Sequence, residues 1–121
     1  MSEIAVAKQQ LVDHYAAFDI DVLGFIPERV IPPVAVINSG STYLRPDTLG
    51  KGWVMNLEIT LVASQAINEE ATKALDLFIE NALNHCPDFA VVIDVTKPFI
   101  LQANAAEYLA TTINLDVFIT I

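Results

Sequence analysis

Cysteine, glycine and positive charge are scarce in this 121-residue chain, and each scarcity excludes something. One cysteine, Cys86, has no partner for an internal disulfide. Gly24, Gly40, Gly50 and Gly52 are the only glycines, and their spacing makes neither a phosphate-cradling loop nor a dinucleotide fingerprint. Six Lys and Arg face fifteen Asp and Glu, a formal charge of −9 and a pI near 4.3, the reverse of the basic footprint that binding nucleic acid requires. Two histidines and one cysteine are too few for a transition-metal site unless carboxylates join them. Apolar runs stay far below the roughly 20 residues of a spanning helix, and MSEIAVAKQQ has no basic start followed by an apolar stretch. The expectation is an intracellular, reducing setting with no membrane partner. Repeats and low-complexity tracts are absent as well.

What the chain has in abundance is dispersed apolar residues: 54% hydrophobic, 17% charged, mean hydropathy +0.48. At 13.2 kDa this suits one domain spanning residues 1–121, whose folding removes roughly two-thirds of the extended chain's surface from water. Ile4, Ala7, Leu11, Tyr15 and Phe18 recur at helical spacing behind Ser2, which is placed to cap, and predict a first helix over 3–18. Gly24, Pro27, Pro32 and Pro33 predict an extended connection into a short strand, Val34 to Ile37. Asn38-Ser39-Gly40-Ser41 through Lys51-Gly52 collects turn formers and reads as the longest loop.

From Trp53 to Ser64 the alternation is clean, with Trp53, Met55, Leu57, Ile59, Leu61 and Ala63 on one face and Asn56, Glu58, Thr60 and Ser64 on the other. A second helix opens at Asn68 before Glu69 and Glu70, and stops at Cys86-Pro87. Its stripe is Ala71, Ala74, Leu75, Phe78, Ile79, Ala82 and Leu83. Strands follow at 89–95, 99–103 and 108–121. The resulting expectation is an α+β fold: two layers, a mixed or antiparallel sheet of about four to five strands, with both helices packed on one face.

Chemistry is hard to find. His85 and Cys86 are adjacent, but neighbours on a helix point about 100° apart, which is poor geometry for a nucleophile and its base. His14 follows Asp13 with no second ligand nearby. Asp19-Ile20-Asp21 with Gly24 resembles the start of a calcium loop, yet Val30 cannot close it. Glu58, Asp94 and Asp116 alternate onto the polar sheet face, where a solvated charged surface outweighs paired acid–base carboxylates. No catalytic, cofactor-binding or metal residue is assigned. Leu77 projects from the polar side of the second helix, Phe118 sits between Asp116 and Thr120, and Tyr43-Leu44 occupy the long loop. Apolar residues in polar company, with no catalytic set, lean towards a protein that assembles.

In order, the N-terminal helix, the Pro27…Pro32-Pro33-Val34-Ala35-Val36-Ile37 lead-in, a polar loop, the strand ending Leu57-Glu58-Ile59-Thr60-Leu61-Val62-Ala63-Ser64, a helix opened by Asn68-Glu69-Glu70, and the strand Tyr108-Leu109-Ala110 through Ile113-Asn114-Leu115-Asp116-Val117 resemble the tail terminator proteins of long-tailed bacteriophages. That resemblance implies a structural virion protein and not an enzyme, located at the tail–head junction after assembly in the host cytoplasm. It implies a homo-oligomer, a hexameric ring that caps the tail tube, halts polymerisation of the major tube protein and offers a surface to the head-completion or connector protein. DNA is then only a non-specific passenger through the lumen. Tyr43, Leu44, Arg45 and Asp47 are the loop residues expected to touch tube or neighbour, with Leu77 and Phe118 second. Glu58, Asp94, Asn114 and Asp116 are the candidates to face the lumen, where an acidic wall repels passing DNA. Two alternatives stay open: another neck or head-completion ring protein, and a small-molecule-binding protein of similar size.

Overall fold

Sheet dominates the described residues, with 53% strand against 33% helix. The computed structural model describes residues 2–17, 22–23, 33–46, 52–64, 69–103 and 106–120. Within them the order is α1 (Glu3–Ala16), β1 (Val22–Leu23), β2 (Val34–Pro46), β3 (Trp53–Ser64), α2 (Glu69–Asn84), β4 (Ala90–Val95), β5 (Phe99–Ala103) and β6 (Ala106–Ile119). These six strands form one mixed sheet, ordered β1-β2-β3-β6-β4, with β5 also on β6. The expected α+β balance with four or five strands is therefore corrected to a mostly-sheet fold.

The correction has two local causes. Val22–Leu23 pair in parallel with Ala35 and Val36, inside a stretch whose glycine and prolines read only as a connection. The supposed loop after Ile37 instead continues β2 to Pro46. Its turn formers are absorbed in a bulge: β2 spends five residues from Ser39 to Leu44 while β3 steps two, from Leu57 to Met55. Gly40 lies at that bulge because the Asn56 side chain fills the space that a Cβ there would need.

β2, β3, β6 and β4 run alternately up and down, and their pairings set residues level across the sheet. Leu44, Met55, Val117 and Ala90 make one row, Ser39, Leu57, Leu115 and Val92 another, and Asn38, Glu58, Asn114 and Asp94 a third. Because side chains alternate, one face collects Met55, Leu57, Ile59, Leu61, Ile113, Leu115 and Val117, all buried. Both helices cover this face, α1 through Ala7, Leu11 and Tyr15 and α2 through Ala71, Leu75 and Ala82. Phe78 and Ile79 pack partly, whereas Ala74 and Leu83, expected in the stripe, face outwards. A smaller cluster, Val34, Val62, Tyr108 and Ala110, lies on the other face at the β5 end.

Helix ends are closed by named groups. Ser2 caps α1, its hydroxyl accepting from Ala5 N at 3.0 Å. The residue expected to cap α2, Asn68, lies outside the described residues, as do Phe18 and Asp19 to Asp21. At its other end α2 meets Pro87, and its last carbonyls are served mostly by side chains. The Tyr15 hydroxyl donates to Ala82 O at 3.2 Å, His85 Nδ1 to Asn81 O at 2.9 Å, and His14 Nε2 to His85 O at 2.6 Å. Since a carbonyl only accepts, both ring nitrogens carry the proton. α1 thus caps α2. The burial that serves this contact also pushes the Tyr15 phenol far above its usual pKa, with Cys86 a smaller contributor.

Candidate functional site on the open sheet face

The face turned away from the helices is the candidate site, since α1 and α2 leave its centre uncovered. Alternation delivers Asn56, Glu58 and Thr60 from β3 and Thr112, Asn114 and Asp116 from β6 to this side, and pairing places Asn56 beside Asp116, Glu58 beside Asn114 and Thr60 beside Thr112. Asp94 joins from β4 and accepts a hydrogen bond from Asn114 Nδ2. The two threonine hydroxyls approach to 3.5 Å. All four residues expected to line a lumen, Glu58, Asp94, Asn114 and Asp116, therefore do share one face.

They are not equivalent. Asp116 is only 8% exposed and is held by both guanidinium nitrogens of Arg45, Nη2 to Oδ2 and Nη1 to Oδ1, the latter at 3.4 Å. Asn56 Nδ2 donates to Leu115 O at 3.2 Å and to Asp116 Oδ1 at 3.4 Å. A carboxylate removed from water needs this many donors. The Arg45 hydrogen bond to Asp116 in turn raises the guanidinium pKa, so the charge on Arg45 is permanent. The negative charge that this group of four presents unopposed comes from Glu58 and Asp94 alone.

The loop candidates fare differently. Tyr43 and Leu44 lie on β2 and pack partly against the main core, where Lys8 Nζ stands 4.9 Å from the Tyr43 ring centroid. They belong to the helix-covered side, which corrects their placement in a loop. Arg45, also on β2, crosses β3 to reach Asp116. Asp47 lies outside the described residues. Leu77 is 67% exposed on α2 and Phe118 47% exposed on the open face, beside buried Val54.

Sequence reasoning missed the outer edge. β4 and β5 follow one another along β6, with Thr96 between them accepting at its carbonyl from Thr111 Oγ1 and receiving Thr112 N at its own hydroxyl. Along that edge Val91, Ile93, Phe99 and Ile100 are exposed. Val91-Val92-Ile93 has the composition of a buried strand, and no periodicity distinguishes an edge. A bulge between Val92 and Asp94 and the Lys97-Pro98 link interrupt the ladder here, both devices that blunt an edge.

Of the chemical candidates, Cys86 directs Sγ towards Pro87 O and Ala90 O, both at 3.8 Å, and burial raises its thiol pKa, the Asp88 charge adding to the effect. This thiol is held protonated and slow to react. A shallow cleft of about 190 Å³ lies between α1 and the end of β6, lined by Glu3, Gln10, Phe89 and Phe118 among others. Among the described residues no three of His, Cys, Asp and Glu gather as metal ligands, and no helix is long and apolar enough to cross a membrane. Compared with protein families and with curated proteins, the chain matches none.

Proposed function

We propose that the chain is a ring-forming structural protein of a long-tailed phage virion, the tail terminator, and that it works by shape and assembly with no reaction of its own. Copies join head to tail, six to a ring, cap the finished tail tube, stop addition of tube protein and give the head-completion protein its docking surface.

The observation that carries this reading is the form of the sheet. One face is closed by helices; the centre of the other is polar and net negative through Glu58 and Asp94, with an apolar cluster at its β5 end. A wall of that kind tolerates water and repels a phosphate backbone, so DNA slides past without sticking. The two edges of the sheet differ, β1 and the length of β2 beyond it on one side and β4 with β5 on the other, which is what a heterologous interface needs to close into a ring. A small-molecule site is less well served, because the cleft beside α1 is smaller than the roughly 300 Å³ at which ligand pockets begin. A different neck protein of the same ring type differs only in its partner, tube or connector.

The test is mass by light scattering over a concentration series, followed by mixing with polymerising tube protein. Rings of six, free or formed only on tubes whose length they then fix, support the proposal. A monomer or dimer at every concentration, with tubes growing unchecked, overturns it. Rings that bind connector and ignore tubes reassign the protein to another place in the neck.

A further inference from the structure

The geometry points to the seam between neighbouring copies: the β4 edge of one copy lies antiparallel to the part of β2 beyond Ile37 in the next, with Arg45 of the second copy facing Asp88 of the first. The inference rests on the ring reading and adds where and by what residues the ring closes.

Three features of the sheet lead there. The first is level. β1 pairs with β2 only at Ala35 and Val36, so among the described residues the outer side of Asn38 to Pro46 carries no strand. That stretch stands in the same rows as β4 at the opposite side: Asn38 is level with Asp94, Ser39 with Val92, Leu44 with Ala90. The second is direction. The strands β2, β3, β6 and β4 alternate, so a β2 laid beside β4 continues the alternation from copy to copy. A β4 edge laid on a second β4 would be antiparallel too, but it would use one edge twice and close as a pair, leaving both β2 edges bare.

The third is charge and surface. β4 is flanked by exposed Asp88 and includes exposed Asp94, and between them Val91 and Ile93 are 51% and 52% exposed. On the free part of β2 the described cation is Arg45, with its side chain 46% exposed. Asp116 engages both terminal nitrogens, yet a guanidinium has five N–H donors, and the remainder are free to meet a carboxylate of the neighbour. Its methylene stem is the apolar part that Val91 can cover, while Ile93 stands level with the Asn38–Ser39 end of the free stretch. The bulges in both edges, at Gly40–Tyr43 and at Val92–Asp94, limit the ladder to short runs, so side-chain fit decides which strand is accepted. A promiscuous edge would polymerise without closing.

The experiment is sedimentation velocity with negative-stain imaging of the full chain and three variants: Asp88→Arg, Ile93→Lys and, away from the seam, Leu77→Lys. Each variant is first shown to melt like the parent. All three leave the Arg45–Asp116 pair in place. Expected is a tenfold or greater weakening of ring formation by Asp88→Arg and by Ile93→Lys, with Leu77→Lys forming rings as the parent does. The Asp88→Arg defect shrinks in 1 M salt, where the Debye length is about 3 Å, and the Ile93→Lys defect shrinks less. Parent rings that survive both edge substitutions overturn the seam and leave the ring reading standing. A parent chain that forms no ring, alone or on tubes, overturns both.

Discussion

The two faces of the sheet are built from the same strands and differ in what residues of alternate parity meet. On the covered face, Leu57, Leu61 and Leu115 are fully buried under α1 and α2. On the open face their immediate neighbours Glu58, Thr60 and Asn114 are only half-buried, Thr60 meeting Thr112 and Asn114 donating to Asp94. The covered face supplies stability and the open face supplies chemistry of contact. Each can be altered with limited cost to the other.

The largest expected effect is on the covered side. Leu57→Ala should lower unfolding free energy by about 2–5 kcal/mol in a denaturant titration, since the cavity lies between sheet and helices with little freedom to collapse. Glu58→Gln, one residue along, should stay within about 0.5 kcal/mol of the parent. A comparable loss at both positions would break the comparison. Next is the site where the faces are linked through the backbone, the β2 bulge. Gly40→Ala forces the Asn56 amide off its bonds to Leu115 and Asp116 and should cost about 1–3 kcal/mol. Asn56→Ala in the same chain should return part of that loss, and additive losses would show that the two positions are independent.

Smaller effects come from the helix layer. Tyr15→Phe should cost about 1 kcal/mol, the net value of one buried hydrogen bond. The phenol also sets an alkaline limit. Its folded pKa is raised above the unfolded value near 10, so the unfolded state loses the proton first, and stability should fall as pH climbs beyond about 10. In Tyr15→Phe that alkaline slope should flatten. Smallest of all, Cys86 should react with a thiol-alkylating reagent at pH 8 more slowly in the native protein than in denaturant, because its thiol pKa is raised by burial.

How far the sequence foretold this differs between regions for physical reasons. β3 was legible because a half-buried strand writes a period of two, and α1 and most of α2 because an apolar stripe writes 3.6. The shared face of Glu58, Asn114 and Asp116 followed from the same alternation, whereas Asp94 joins them through the β4 bulge after Val92. β2 was not legible past Ile37: Asn38, Ser39 and Gly40 favour turns, and only the filling of the bulge by Asn56, a tertiary contact, makes a strand of them. The Arg45–Asp116 pair spans 71 positions and leaves no local trace. Trp53 alternated onto the covered face yet stays 38% exposed, since it stands at the end of the sheet. Exposure of Val91 and Ile93 is a property of being last in the strand order, which composition does not record.

The central place of β6 has a consequence for how the chain comes into being. β6 pairs with β3, β4 and β5, and its partner residues in β3 lie far back, as with Leu57 and Leu115. During synthesis β3 must wait, its apolar face uncovered, until some fifty further residues have been added and β6 has cleared the ribosome. Long-range antiparallel pairing of this kind folds slowly, typically in milliseconds to seconds, and the interval is when a nascent strand is most open to sticking to another. Chains interrupted before β6 should therefore be found with chaperones or in aggregates, while those that reach it fold in a single late step.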